Sequence, residues 1–259
     1  MAAFEVITHE KFSSFRFRKS KHFFFASTDA LCPISAAEII PAALHTPIAF
    51  TETESGFDLV TVQGIEPMQN LFVGVNGEWL GDFLPSLYRA YPFLLAALEN
   101  KQEVLCFDVE SGLLSENEDD QAFFMDDGLP ATPINEALNF LAQVSASRKA
   151  TQAMCLMLSN LNLIQDWPIS INFDGNIKRN VEGLFRIDEA RLNDLADDAF
   201  LQLRRSGALP LVYCQLLSMR NFENLLKLSI AKSSQPKSDI AGLGFELDSP
   251  SGSLNFDSL

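Results

Sequence analysis

The sequence predicts an α+β fold: a strand-rich N-terminal half with short helices, a helical C-terminal half with a β-hairpin insertion, and a disordered acidic C-terminal tail. Three observations carry this. Short runs rich in Val, Ile, Thr and Phe, set between prolines and glycines, recur through the first half of the chain. From Thr132 onward, apolar residues recur at three- and four-residue spacing. From Lys232 the composition turns to Ser, Pro, Gly and Asp, with too little apolar content to offset the entropy of ordering. Residues 1–231 therefore read as a single domain and 232–259 as its tail.

Phe4 to Thr8, Lys21 to Ala26 and Ile48 to Thr51 read as strands, being aromatic or β-branched. Pro33, Pro41 and Pro47 leave room for one short helix, from Ser35 to Ile40. Phe57 to Val62 is a further strand, and Asn76-Gly77 between apolar runs signals a hairpin. Gly81 to Leu98 reads as helical, with Pro85 tolerated in its first turn and Pro92 as a kink or break. Val104 to Val109 is a buried strand feeding an acidic loop.

In the second half, Thr132-Pro133 opens a helix, as an N-cap followed by proline at the first helical position. Ile134, Ala137, Leu138, Leu141 and Val144 mark its apolar face. Ile169 to Phe173, the turn Asp174-Gly175-Asn176 and Ile177 to Ile187 form a second hairpin. Asp188 caps a helix whose stripe runs from Leu192 to Leu203 without a gap, and Gly207 ends it. The last helix spans Leu209 to Ile230.

Composition excludes several functions. A formal charge of −15 argues against a phosphate-backbone partner, so no nucleic acid is expected. The strongest basic segment is Arg16, Arg18, Lys19 and Lys21, interleaved with Phe12, Phe15, Phe17 and Phe23 to Phe25. A nucleic-acid reader can look like this, but nothing elsewhere extends the patch, and an amphipathic N-terminal strand accounts for it. The 22 phenylalanines, against 3 tyrosines and 2 tryptophans, are expected mainly in the core. No apolar stretch approaches the roughly 20 residues of a membrane span, and no secretory signal is visible. Cys32, Cys106, Cys155 and Cys214 lack CxxC spacing and sit among apolar residues, which suggests buried thiols in a reducing cytoplasm.

The usual chemical constellations are missing. His9, His22 and His45 lack metal-ligand spacing, and the chain has no GxGxxG, GxxxxGK[ST] or GxSxG segment. The pairs Asp119-Asp120 and Asp126-Asp127 do not match an EF-hand and read as solvated loop acids. No metal or cofactor is therefore expected. The most suggestive polar cluster is Trp79, Asp82, Arg89 and Tyr91, a candidate ligand-binding site beside a hairpin and a broken helix. Arg89 could clamp a carboxylate, with Asp82 or Tyr91 moving a proton. The plainer reading pairs Arg89 with a carboxylate of the protein and packs Tyr91 at a helix end.

Three stretches carry a resemblance. Lys21-His-Phe-Phe-Phe-Ala-Ser-Thr-Asp-Ala-Leu-Cys-Pro-Ile-Ser-Ala-Ala-Glu-Ile resembles the N-terminal signature of the SapC family. Asn70-Leu-Phe-Val, Gly77-Glu-Trp-Leu-Gly and Tyr88-Arg-Ala-Tyr-Pro-Phe are similar to its central motif. Gly183-Leu-Phe-Arg-Ile-Asp-Glu through Leu203-Arg-Arg-Ser-Gly-Ala-Leu resembles its C-terminal one. The resemblance implies a bacterial protein linked by name to surface-layer protein secretion, with relatives encoded near outer-membrane receptors. It supplies no catalytic residues to carry over. It is distinct from the like-named peptide-transporter permease, whose membrane spans this chain lacks.

Two functions follow. The first is a non-enzymatic accessory protein that recognises a polypeptide or partner protein, linked to surface-protein secretion or outer-membrane uptake. The second is an enzyme with a small-molecule or peptide pocket near Trp79, Arg89 and Tyr91. In the tail, Gly244-Phe-Glu-Leu-Asp-Ser and Leu254-Asn-Phe-Asp-Ser-Leu resemble each other, as a partner-binding motif or an inert repeat.

Overall fold

Strand pairing follows the aromatic and β-branched runs of the first half, and long helices fill the second. The structure, a computed structural model, describes residues 3–98, 102–173 and 177–233. The chain divides into two compact units. The first comprises Met1–Ala26, Val73–Leu80 and Leu84–Ala150, and the second Ser27–Phe72, Gly81–Phe83 and Thr151–Leu259.

In the first unit, Phe4–Val6, Glu103–Asp108 and Phe93–Ala97 form an antiparallel sheet with Glu103–Asp108 at its centre. A second small sheet places Arg16–Phe17 between Leu114–Ser115 and Gln121–Ala122. Phe12, Phe17, Phe107 and Phe123 fill the core, closed by Leu105, Ile134 and Leu141. Their rings meet tilted or edge-on, with centroids 4.9–6.3 Å apart, the arrangement that ring quadrupoles favour. The helix Thr132–Asn160 lends Ile134 and Leu141 from its opening turns, as its spacing predicted. Leu138 from the same stripe stays 37% exposed.

In the second unit, Ile48–Thr53 and Gly56–Val62 pair as a hairpin, flanked by Leu31–Pro33 on one side and by Phe185–Ile187 and Ile164–Asp166 on the other. The core is largely aliphatic: Ile34, Ile39, Ile48, Leu158, Leu163, Ile187, Leu203 and Leu211. Buried polar side chains stitch it. Gln215 donates to Ile48 O at 3.1 Å and accepts from Ile187 N at 3.0 Å. Asn221 donates to Ala43 O and Thr46 O, and Asn70 donates to Gln63.

The expected α+β class, the strand-rich first half and the helical second half are all present. The second hairpin pairs Ile169–Phe173 with Ile177–Val181, its turn lying outside the described residues, while Phe185–Ile187 joins the larger sheet instead. Asp188 caps Glu189–Asn193 by accepting from Arg191 N at 3.0 Å, and Gly207 ends Asp197–Ser206 at φ 76°. The Ser35 signal opens a turn, Ala36–Glu38, that leads into the helix Ile39–His45.

Several elements differ from expectation. Gly81 to Leu98 is not one helix. Ser86–Ala90 is helical, Tyr91 is extended at ψ 135°, and Phe93–Ala97 is a strand. A residue before proline is pushed out of the helical region, and here that switches the element type rather than kinking it. Lys21 to Ala26 forms no strand; it is a loop ending in the turn Phe24–Ala26. The basic N-terminal segment likewise holds only the two-residue strand Arg16–Phe17, after the helix His9–Phe12. Asn76-Gly77 makes a tight turn with a single bridge, Val73 to Trp79.

The stripe after Asp188 breaks at Ala196, which is extended at ψ 146°. The last helix is broken at Met219–Asn221 and resumes as Phe222–Ser233. Ser218 is the cause: its hydroxyl donates to Gln215 O at 2.7 Å and accepts from Ile48 N at 2.9 Å, competing with the helical ladder. The tail was expected from Lys232, but Lys232 and Ser233 belong to the helix Phe222–Ser233; residues 234–259 lie outside the described residues.

Candidate functional site

The first unit holds two cavities that share a wall. The larger, about 730 Å³, is bordered by the loop from Arg18 to Phe25, the turn at Ser111 to Leu113 and the acids Asp119 and Asp120. The smaller, about 420 Å³, is lined by Phe23, Tyr88, Phe93 and Phe140, with Arg89 and Glu136 among its polar groups. Phe17, Lys19, Ser20, Phe25, Tyr91 and Gln121 border both.

Local sequence explains how the basic loop is held there. Arg18 N donates to Leu113 O at 2.9 Å, and its guanidinium donates to Gly112 O. Ser20 Oγ donates to His22 O at 2.6 Å, making a short turn. Phe23 N donates to Gly77 O at 2.7 Å. Gly77 sits at φ 79°, and a Cβ there would stand 2.8 Å from the Phe24 ring and 2.9 Å from His22 Cβ. Only glycine meets both the turn and the close approach of the loop. The Asn76-Gly77 signal in the sequence is therefore a support for the cavity wall.

Tyr91 stands at the shared wall. Its ring stacks on Phe25 with centroids 3.7 Å apart and 13° between planes. Its hydroxyl donates to Asp108 Oδ2 at 3.1 Å. Burial, then the Asp108 carboxylate, push the phenol up to about 12, so it stays protonated through neutral pH and acts as a donor. Asp108 is buried, and its Oδ1 accepts from Ala3 N and Glu110 N. The candidate site thus gains a carboxylate that sequence reading missed. The apolar run before it, Val104-Leu-Cys-Phe, signalled only a buried strand.

Arg89 is exposed and donates to Ser86 Oγ at 2.8 Å. Its guanidinium lies 5.1 Å from the centre of the Phe140 ring, a cation–π contact. No carboxylate of the described residues forms a salt bridge with it, contrary to the plainer sequence reading. Trp79 packs on Phe23 and Tyr88 with centroids 5.6 Å away in each case, behind the smaller cavity's wall. Asp82 lines neither cavity; it is exposed and lies 3.7 Å from His45 Nδ1. Of the four residues expected together, Arg89 and Tyr91 line one cavity, and Trp79 backs it.

Gln121 adds a feature with no sequence signal. Its backbone pairs with Phe17 in the small sheet, while its side-chain Oε1 is buried and accepts no hydrogen bond from the described residues. Such an orphaned acceptor costs about 1–3 kcal/mol unless a partner supplies a donor. Among the described residues no group of three or more His, Cys, Asp or Glu is placed to hold a metal ion, and no helix is long and apolar enough to cross a membrane.

A family model described as SapC matches residues 7–225, which include every segment quoted above for the resemblance. The chain belongs to the SapC family. The match runs through both units of this SapC protein and takes in the basic loop, the Asn76-Gly77 turn, Arg89 and Tyr91. No curated protein and no solved structure matches the chain.

Proposed function

We propose that this SapC-family protein is a non-enzymatic binding protein whose first unit recognises a polypeptide or partner protein. The observation that carries the reading is the pair of neighbouring cavities that share Phe17, Phe25, Tyr91 and Gln121 in their walls. Together they offer an open surface bordered by aromatic rings. Extended peptides are recognised by such surfaces, with side chains entering apolar pockets and main-chain groups meeting fixed polar atoms.

The polar groups support the same reading. Tyr91 is tied to Asp108, Arg89 to Ser86 and Phe140, and Arg18 lies 3.9 Å from Asp120. With its phenol held near 12, Tyr91 suits hydrogen-bond donation better than proton abstraction. The family's link by name to surface-protein secretion, or to outer-membrane uptake systems, supplies the setting. The four free thiols suit a cytoplasmic place for that work.

Residues 1–231 act in this proposal as one domain. The backbone passes between the two units at each of the five divisions along the chain, so neither unit is a continuous stretch.

The test is a display selection of random peptides on the immobilised full-length protein, counter-selected on a Phe25→Asp variant. Peptides that bind the native protein with Kd of about 10 μM or tighter and lose the variant are expected. Selected peptides that bind both proteins equally would remove this surface from the account.

A further inference from the structure

Resting on that binding reading, we infer that the two neighbouring cavities take an acidic peptide segment with an aromatic anchor. Three features of the wall point to this ligand.

The first is charge. The chain carries a formal −15, yet Lys19 and Lys21 stand exposed at the larger cavity without a salt bridge among the described residues. Arg89 lies at the smaller one with a hydroxyl and a ring as neighbours. The acids nearby do not cancel them: Asp120 lies against Arg18, leaving Asp119 and Glu136 against three cations. Cations grouped at a cleft in an otherwise acidic protein attract a negative ligand there, while the remaining surface repels it.

The second is shape. The smaller cavity, about 420 Å³, is walled by aromatic rings, with Phe25 and Tyr91 stacked at its edge. A phenyl ring entering it meets ring faces and edges, the contact geometry aromatic pairs favour.

The third decides between a peptide and a simple aromatic acid. The two cavities border one another through Phe17, Lys19, Ser20, Phe25, Tyr91 and Gln121, with Lys21 at the larger and most of the rings at the smaller. A ligand that meets both features is a segment carrying a ring with acids on its neighbours, longer than a single aromatic acid.

The test is titration calorimetry of the full-length protein with blocked peptides. The probe is Asp-Glu-Phe-Asp-Glu, compared with an Ala-for-Phe version, a Lys-for-acid version and an uncharged Ser-for-acid version. The first is expected to bind saturably, with the Ala and Lys versions at least about tenfold weaker. Lys19→Glu with Lys21→Glu is expected to weaken the first peptide at least about tenfold, and raised salt to weaken it further. Both lysines are exposed, so the core is left intact, which circular dichroism checks. Phenylpropionate, a ring with one carboxylate, is expected to bind at least about tenfold weaker than the first peptide; equal affinity would overturn the peptide ligand. If the Lys or Ser version binds as tightly as the acidic one, the ligand class is wrong while the binding reading stands. If no version binds and display selection also yields nothing, the binding reading itself falls.

Discussion

The two units solve the packing problem with different materials. The first interlocks Phe12, Phe17, Phe107 and Phe123 in an aromatic core. The second packs branched aliphatic side chains and threads Gln215, Ser218 and Asn221 between strand and helix. Both cavities described above lie in the ring-packed unit, with Phe17 the one ring of these four that borders them. Hydrogen bonds to named backbone atoms specify register, and the second unit uses them where its helix must break and resume. The difference teaches that one unit is built around shape and the other around partners.

The contrast can be broken by substitution. Phe107→Ala removes a fully buried ring that touches four others and is expected to cost about 4 kcal/mol, whereas Phe107→Leu should cost roughly 1–2 kcal/mol. In the second unit, Gln215→Leu keeps nearly the same volume but strands Ile187 N and takes a donor from Ile48 O. It is expected to cost about 3 kcal/mol. Urea denaturation of the full-length variants measures both. The comparison fails if Gln215→Leu is milder than Phe107→Leu. If residues 1–231 are one domain, all three substitutions lower the midpoint of a single transition; two separate transitions would show two domains.

A smaller effect concerns Tyr91. Its phenol is raised from the ordinary 10.0 to about 12, so the folded state disfavours the phenolate. The associated stability is complete below pH 10 and is lost as pH rises from 10 through 12. Ultraviolet titration should show one tyrosine ionising last, absent in Tyr91→Phe, and shifted toward 10 in Asp108→Asn. A late step that survives Tyr91→Phe would mean that Tyr88 or Tyr213 carries it.

Much of the second half was legible because its signals are local. Asp188 and Gly207 cap helices through atoms a few residues away, and the stripe of Thr132–Asn160 needs only its own period. The misreadings arose where a distant residue decides. Ser218 breaks its helix by reaching Ile48 N, 170 positions away in sequence. A nearer case is Phe93–Ala97: Pro92 ends the helix before it, and the next strand, Glu103–Asp108, offers it a ladder, though its Leu-Leu-Ala-Ala content suits a helix. In the site, Arg89 and Tyr91 were legible as unusual polar residues in an apolar run. Asp82, two residues after Leu80, belongs with the other unit. Lys19, Asp108 and Gln121 come together through pairing across the small sheets and the Tyr91–Asp108 bond, which no spacing along the chain announces.

The most direct test of polypeptide recognition by the ring-packed unit is hydrogen exchange of the full-length protein with and without Asp-Glu-Phe-Asp-Glu. Slowed exchange is expected in the segments that hold Arg18 to Phe25, Tyr88 to Phe93 and Ser111 to Gln121, with the second unit unchanged. Slowing confined instead to the second unit, where Ile40, Leu44, Tyr213 and Leu217 are exposed, would contradict the account.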